Sequence, residues 1–155
     1  MTMGREPNGA IRSVDAFLDS TLDSVDGAEE LVLGVATEAG LQEDELHKLG
    51  MAVRETVVNA VVHGNRYNAL KKVHLQVSRV EDRLSVTVGD QGNGFDLAAL
   101  PDPLAAENLL HHSGRGLLLV RAFVDEFQVR RLTPAGTEVK LVKYLTKESQ
   151  LKGNR

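Results

Sequence analysis

Glu55-Thr56-Val57-Val58-Asn59-Ala60-Val61-Val62-His63-Gly64-Asn65 is the stretch on which the reading of this chain turns. Its apolar residues continue a stripe that begins upstream, where Leu46, Leu49, Val53, Val57 and Ala60 recur at the spacing of one helix face. The spacing predicts a helix over residues 42–63, with Gly64-Asn65 as its C-terminal punctuation. Between Val57 and Val62 the only polar residue is Asn59. Burying an unpaired amide costs roughly 1–3 kcal/mol, so Asn59 needs a partner. Glu55, Asn59 and His63 follow at intervals of four and share a helix face. An amide oxygen is a hard donor suited to magnesium, which keeps waters and bridges to phosphates. A carboxylate one turn away could orient or deprotonate an attacking hydroxyl. The same residues also fit a plainer arrangement, with Asn59 bonded to a loop carbonyl and Glu55 in solvent.

Working outward, Val25, Ala28, Leu31, Val32 and Val35 predict a helix over residues 24–39, stopped at Gly40. Residues 11–22 have no decisive period and leave room for a short edge strand. Downstream, Val73, Leu75 and Val77 alternate with His74, Gln76 and Ser78, and Leu84, Val86 and Val88 alternate with Ser85 and Thr87. A turn at Glu81-Asp82 joins them as a hairpin. Residues 91–114 carry Pro101, Pro103, Asn108 and several glycines and are long for a connection, the kind that is usually functional or mobile. A further helix is expected from Gly116 to about Asp125. Strands near 127–132 and 137–145 flank a turn at Pro134-Ala135-Gly136. The order of helices, hairpin, helix and hairpin predicts an α+β fold with a largely antiparallel sheet and helices on one face.

The whole chain sets the boundaries. Its 155 residues, 42% of them hydrophobic, suit one continuous core and not a disordered segment. A net charge of −4 and a pI of about 5.7 argue against direct nucleic-acid binding, which needs a basic stripe. With no cysteine there is no disulfide framework, thiolate metal site or cysteine nucleophile. The N-terminus lacks the apolar stretch of a signal peptide, and no run approaches the ~20 apolar residues that span a bilayer. A soluble, cytoplasmic protein without membrane association is expected.

Two glycine-rich segments accompany the helix. Asp90-Gln91-Gly92-Asn93-Gly94-Phe95-Asp96 follows a strand. Two glycines two apart let the backbone turn sharply and approach a ligand closely. An aspartate at a strand end could accept a hydrogen bond from an amino group such as that of adenine. A plain loop fits as well. A calcium loop does not, because Gly92 and Gly94 stand where acids are required and Pro101 stands at the terminal Glu position. Ser113-Gly114-Arg115-Gly116-Leu117 opens a helix, whose free N–H groups and dipole favour an anion. Taken alone, that stretch is equally an ordinary glycine-rich helix entry. No Walker A loop is present, and Gly114 and Gly116 follow a loop instead of a strand, against a Rossmann site. His111-His112 reads as a solvated pair and not a zinc site, and Ser85 and Ser113 lack the His/Asp neighbours of a hydrolase.

Together and in this order, the segments resemble the GHKL (Bergerat-fold) ATPases, and within them the small bacterial anti-sigma-factor serine/threonine kinases. Glu55-x-x-x-Asn59-Ala60-x-x-His63-Gly64 is similar to the family's N box, Asp90-x-Gly92-x-Gly94 to its first glycine box, and Gly114-Arg115-Gly116-Leu117 to its second. Gly136-Thr137-x-Val139 is similar to its late Gly-Thr element. The resemblance covers residues 24–145. It implies a two-layer α/β sandwich whose mixed, largely antiparallel sheet is covered on one face by helices. It implies ATP and magnesium as ligands. Asn59 would hold the magnesium, and Glu55 would act as base on a serine or threonine hydroxyl. Asp90 would bind the adenine amino group with support from Thr137, and Gly92 and Gly94 would line the base pocket. Gly114, Arg115 and Gly116, followed by Leu117, would cover the phosphates within a lid over residues 101–113. His63 belongs to the same binding set.

The resemblance further implies a sigma factor and a STAS-domain anti-sigma-factor antagonist as partners, and dimerisation of the chain. Residues 1–10 are expected to be a flexible N-terminus, 11–146 a single histidine-kinase-like ATPase domain and 147–155 a polar tail. No phosphoacceptor or membrane segment precedes the ATPase region, so the stand-alone kinase type is expected in place of a sensor histidine kinase. The competing expectation is a nucleotide-dependent binding or regulatory module without kinase activity.

Overall fold

Alternation and helical period are realised side by side in a computed structural model that describes residues 12–92 and 116–145. The expected terminal segments 1–10 and 147–155, the expected lid over residues 101–113, and His111, His112 and Ser113 lie outside the described residues. Strand β1 (Arg12–Asp19) opens the chain and is followed by helices α1 (Ser24–Glu38) and α2 (Glu43–Asn59). Strands β2 (Lys72–Val80) and β3 (Arg83–Gly89) form the hairpin, with Val80 opposite Arg83. Helix α3 (Gly116–Phe123), β4 (Glu126–Arg131) and β5 (Thr137–Tyr144) complete the described elements.

Residues 11–22, which lacked a decisive period, contribute a full eight-residue strand. β1 runs antiparallel to β2 from Arg12 opposite Arg79 to Asp19 opposite Lys72. An edge strand is held by one partner, and its outer face can carry charge, which blurs the alternation. The sheet order is β1-β2-β3-β5-β4, and all four pairings are antiparallel. β5 inserts between β3 and β4, so the end of β3 lies beside the beginning of β5, with Gly89 opposite Glu138.

One sheet face is apolar because successive strand side chains point to opposite sides. Val73, Leu75 and Val77 of β2, Leu84, Val86 and Val88 of β3, and Val139 and Leu141 of β5 enter the core. They meet Val25, Val32 and Val35 of α1 and Leu49, Val53 and Val57 of α2. α3 packs chiefly on α2. The result is the expected α+β arrangement of two layers. No helix among the described residues is long and apolar enough to cross a membrane.

The two long helices end differently. α1 closes with Gly40 at φ 86° and hydrogen bonds from Gly40 N–H to the Thr37 carbonyl and Leu41 N–H to the Ala36 carbonyl. This is the two-bond glycine stop that satisfies the last carbonyls, with Leu41 buried behind it. α2 was expected to run regularly to His63. Instead its α-helical part ends at Asn59 and a π-helical turn, Ala60–Gly64, follows. Asn65 N–H reaches back five residues to the Ala60 carbonyl at 2.7 Å. Such wide turns cluster at functional sites, and this one carries Gly64 to the end of β3.

The core is the main source of stability, and Leu75, 1% exposed, sits at its centre. Leu75→Ala is expected to cost about 2–5 kcal/mol, read as a lowered urea midpoint with an unchanged slope.

Candidate functional site

Asp90 directly follows β3 and is 7% exposed. Its backbone N–H donates to the Thr137 carbonyl at 2.9 Å. Its Oδ1 accepts from the backbone N–H groups of Gly92 at 3.0 Å and Thr137 at 3.2 Å. Thr137 opens β5 and is itself buried, so the strand order is what brings these residues together. Burial pushes the Asp90 carboxyl above its ordinary 3.8, opposed by the Gly92 and Thr137 N–H groups and by the charge of Lys71. Both backbone donors are spent on Oδ1. Oδ2 is the oxygen that can take a donor from a bound molecule.

Backbone closes around this carboxylate at distances that exclude side chains. A Cβ on Gly64 would lie 2.2 Å from Asp90 Oδ2. One on Gly92 would lie 1.7 Å from the Gly64 carbonyl oxygen, and one on Gly136 would lie 2.1 Å from the Asp90 carbonyl oxygen. The last two contacts are with main chain, which cannot swing aside. Gly136 also has φ 113°, a conformation that side-chain-bearing residues rarely adopt.

Asn65 caps the π-helical turn, as the Gly64-Asn65 punctuation predicts, with a right-handed φ of −79°. The sequence did not reveal the further role of its side chain. Asn65 Nδ2 donates to Ser20 Oγ at 2.9 Å and to the Lys72 carbonyl at 3.1 Å. Its Oδ1 accepts from the Gln91 N–H at 2.8 Å. Gln91 in turn accepts from the Lys72 N–H through Oε1 at 2.7 Å. One buried amide thus ties the end of β1, the start of β2 and the residue after Asp90. The only sequence signal was an asparagine directly after His-Gly, and that pattern also describes an ordinary helix stop.

On the helix side, Asn59 is 6% exposed and its Nδ2 has no hydrogen-bond partner among the described residues. Within them, the plainer arrangement, a bond from this amide N–H to a loop carbonyl, is not made. A buried, partly unpaired amide costs about 1–3 kcal/mol and suits a residue kept for a ligand. Among the described residues no three His, Asp or Glu side chains gather to hold a metal. The donor set fits magnesium that takes one amide oxygen from the protein and its other ligands from phosphate and water. Glu55 is part-buried one turn before Asn59, and its carboxylate lies against Gly116, the first residue of α3. Leu117, the next residue, is buried. His63 is exposed. It lies on the π-helical turn that follows Asn59. Gly94, Gly114 and Arg115 lie outside the described residues.

Residues 18–143 match the family described as histidine kinase-like ATPase domain. The chain is similar to a serine-protein kinase RsbW of Staphylococcus epidermidis, 31% identical over 78% of this chain and 79% of the relative. It is similar to the anti-sigma F factor of Bacillus subtilis, 32% identical over 70% of this chain and 75% of the relative. A solved structure of RsbU and RsbW domains from Mycobacterium tuberculosis shares the fold, with a TM-score of 0.61 at 18% identity. That match covers 85% of this chain and 32% of the larger one.

The bracket at Asn65 can be tested without a ligand. Asn65→Ala leaves buried donors and acceptors unpaired and is expected to lower stability by roughly 1–3 kcal/mol in urea unfolding. Amide exchange should accelerate at Gln91 and Lys72 more than in the strand centres; uniform acceleration would show that the bracket is not local.

Proposed function

The chain belongs to the histidine kinase-like ATPase domain family, and on that premise we propose that it binds ATP with magnesium and phosphorylates a protein. The observation that carries the reading is Asp90: a buried carboxylate with its backbone donors gathered on Oδ1, walled by Gly64 and Gly92. Such a group recognises the exocyclic amino group of adenine through Oδ2, with Thr137 holding the carboxylate in place. Gly92 shapes the wall of the base pocket, and Gly94 is assigned with it. Gly114, Arg115 and Gly116 are assigned to the phosphates, with His63 and Leu117 at the margin of the same set. Asn59 would hold magnesium, which when bound neutralises phosphate charge.

Phosphoryl transfer then needs positioning more than covalent help from the protein. A serine or threonine oxygen of the acceptor attacks the γ-phosphorus. The bond from that phosphorus to the bridging β-phosphate oxygen breaks and ADP leaves. Glu55 takes the hydroxyl proton. The relatives are named serine-protein kinase and anti-sigma factor, and we assign the corresponding partners here. These are a STAS-domain anti-sigma-factor antagonist as acceptor and a sigma factor as the protein sequestered.

A second reading is a binding module whose partner affinity depends on nucleotide without phosphoryl transfer; the name anti-sigma F factor of one relative favours it. Incubation with labelled ATP, magnesium and a STAS-domain acceptor separates the two. Label on the acceptor supports the kinase. A nucleotide-dependent complex without label supports the module.

Glu55→Gln is expected to keep ATP affinity and lower transfer by roughly 10²–10⁴-fold; an unchanged rate removes the base assignment. Asp90→Asn is expected to weaken ATP binding by about tenfold or more, measured by calorimetry. The Asp90 carboxyl is raised by burial, so its charged form is lost as pH falls while still above the ordinary aspartate range. ATP affinity should weaken on that descent in the wild type and stay flat in Asp90→Asn. For stability the sign is reversed: the raised carboxyl favours the fold at low pH, and that contribution disappears as pH rises through its folded value.

A further inference from the structure

Gly116, like Gly64, lies against a carboxylate side chain and not against main chain. A Cβ on Gly92 or Gly136 would meet backbone. The three atoms nearest to a Cβ on Gly116 would all belong to the Glu55 side chain: Oε1 at 1.9 Å, Cδ at 2.5 Å and Cγ at 2.9 Å. The backbone of Gly116 is outside the left-handed region, so alanine is allowed there conformationally. Helix α3 is pinned to the body by Leu117 and Val120, which are fully or almost fully buried. Of the two contacting groups, the Glu55 carboxylate is therefore the one that yields. It also stands at the N-terminal end of α3, where the helix dipole favours negative charge.

We propose that Gly116 is a positioning residue for Glu55: the space left by its missing side chain is the seat of the Glu55 carboxylate. The beginning of α3 fixes where the proposed base stands relative to Asn59, one turn further along α2. This rests on the assignment of Glu55 as base. It gives Gly116 a task separate from any contact with phosphate, and it predicts a variant that folds and binds nucleotide with its base displaced. Misplacing a reacting group by about 1 Å can cost on the order of 100-fold in rate.

The test uses the full chain, ADP with magnesium for binding, and an acceptor protein that the wild type phosphorylates. Gly116→Ala is expected to keep its melting temperature within a few degrees, and to lose less in ADP affinity than it loses in transfer. Transfer should fall about 10–100-fold at saturating ATP. Glu55→Asp retracts the carboxylate by one methylene and relieves the collision. The double variant Glu55→Asp with Gly116→Ala should therefore be no slower than Glu55→Asp alone, a non-additive cycle. The side-chain carboxyl carbon resonance of Glu55, identified by its loss in Glu55→Gln, should move in Gly116→Ala without any nucleotide present. Full transfer by Gly116→Ala with an unmoved resonance overturns the proposal. So do additive losses accompanied by a matching loss of ADP affinity, which would place Gly116 on the phosphates alone. A wild type that neither binds ADP nor transfers would refute the functional reading, and the resonance would still decide whether Gly116 seats Glu55.

Discussion

Three lengths of backbone meet around the Asp90 carboxylate with no room for a Cβ between them, and much of the molecule is arranged to permit that meeting. Gly64 arrives from α2, Gly92 from the end of β3 and Gly136 from the turn before β5. Peptide groups brought this close must exchange hydrogen bonds or carry a desolvation cost. Here Asp90 and Thr137 pair through their main chains, and the Asp90 Oδ1 takes the remaining donors. A carboxylate that stays buried under those conditions is raised in pKa but not orphaned. These backbone donors leave the second oxygen, Oδ2, facing Gly64.

The strand order and the helix end both follow from serving this point. Because β5 lies between β3 and β4, residues 47 positions apart, Asp90 and Thr137, become neighbours. The π-helical turn lets α2 bury Val57 and Val61 against the sheet and still bring Gly64 to Asp90. Asn65 then locks the exit with its side chain, so a polar bracket replaces the left-handed cap that ends α1. Arg66 and Tyr67, at φ 52° and 59°, follow immediately and carry the strain of that exit.

Two groups of contacts divide the candidate site. One is backbone-rich and rigid, around Asp90, Gly64, Gly92 and Thr137. The other is a side-chain contact between α2 and α3, where Glu55 meets Gly116 near the partly unpaired Asn59. α2 joins the groups, since Glu55 and Asn59 precede Gly64 on one continuous stretch of helix. This division gives the glycines different meanings. At Gly92 and Gly136 a side chain would strike main chain, and at Gly116 it would strike a group that can move.

Much of this was legible in the sequence because it depends on local period and residue chemistry. The stripe from Leu46 to Ala60, the alternation of Val73 to Val88 and the stop at Gly40 identified most of the elements and the core face. Asn59, alone among apolar neighbours, and Asp90, at a strand end before glycines, were visible as candidates from residue type alone. The strand β1 was legible only as room for a short edge strand, since an edge strand with one partner and a charged outer face shows weak alternation. The change from α- to π-helix at Asn59, the side-chain role of Asn65 and the contact of Glu55 with Gly116 were not legible. Each depends on which distant backbone passes close by, and no local pattern encodes that distance. Residue type and local spacing thus set which side chains are candidates and on which elements they lie. Which of them meet is a matter of topology, because β5 must pair with β3 before Asp90 has Thr137 to hold it.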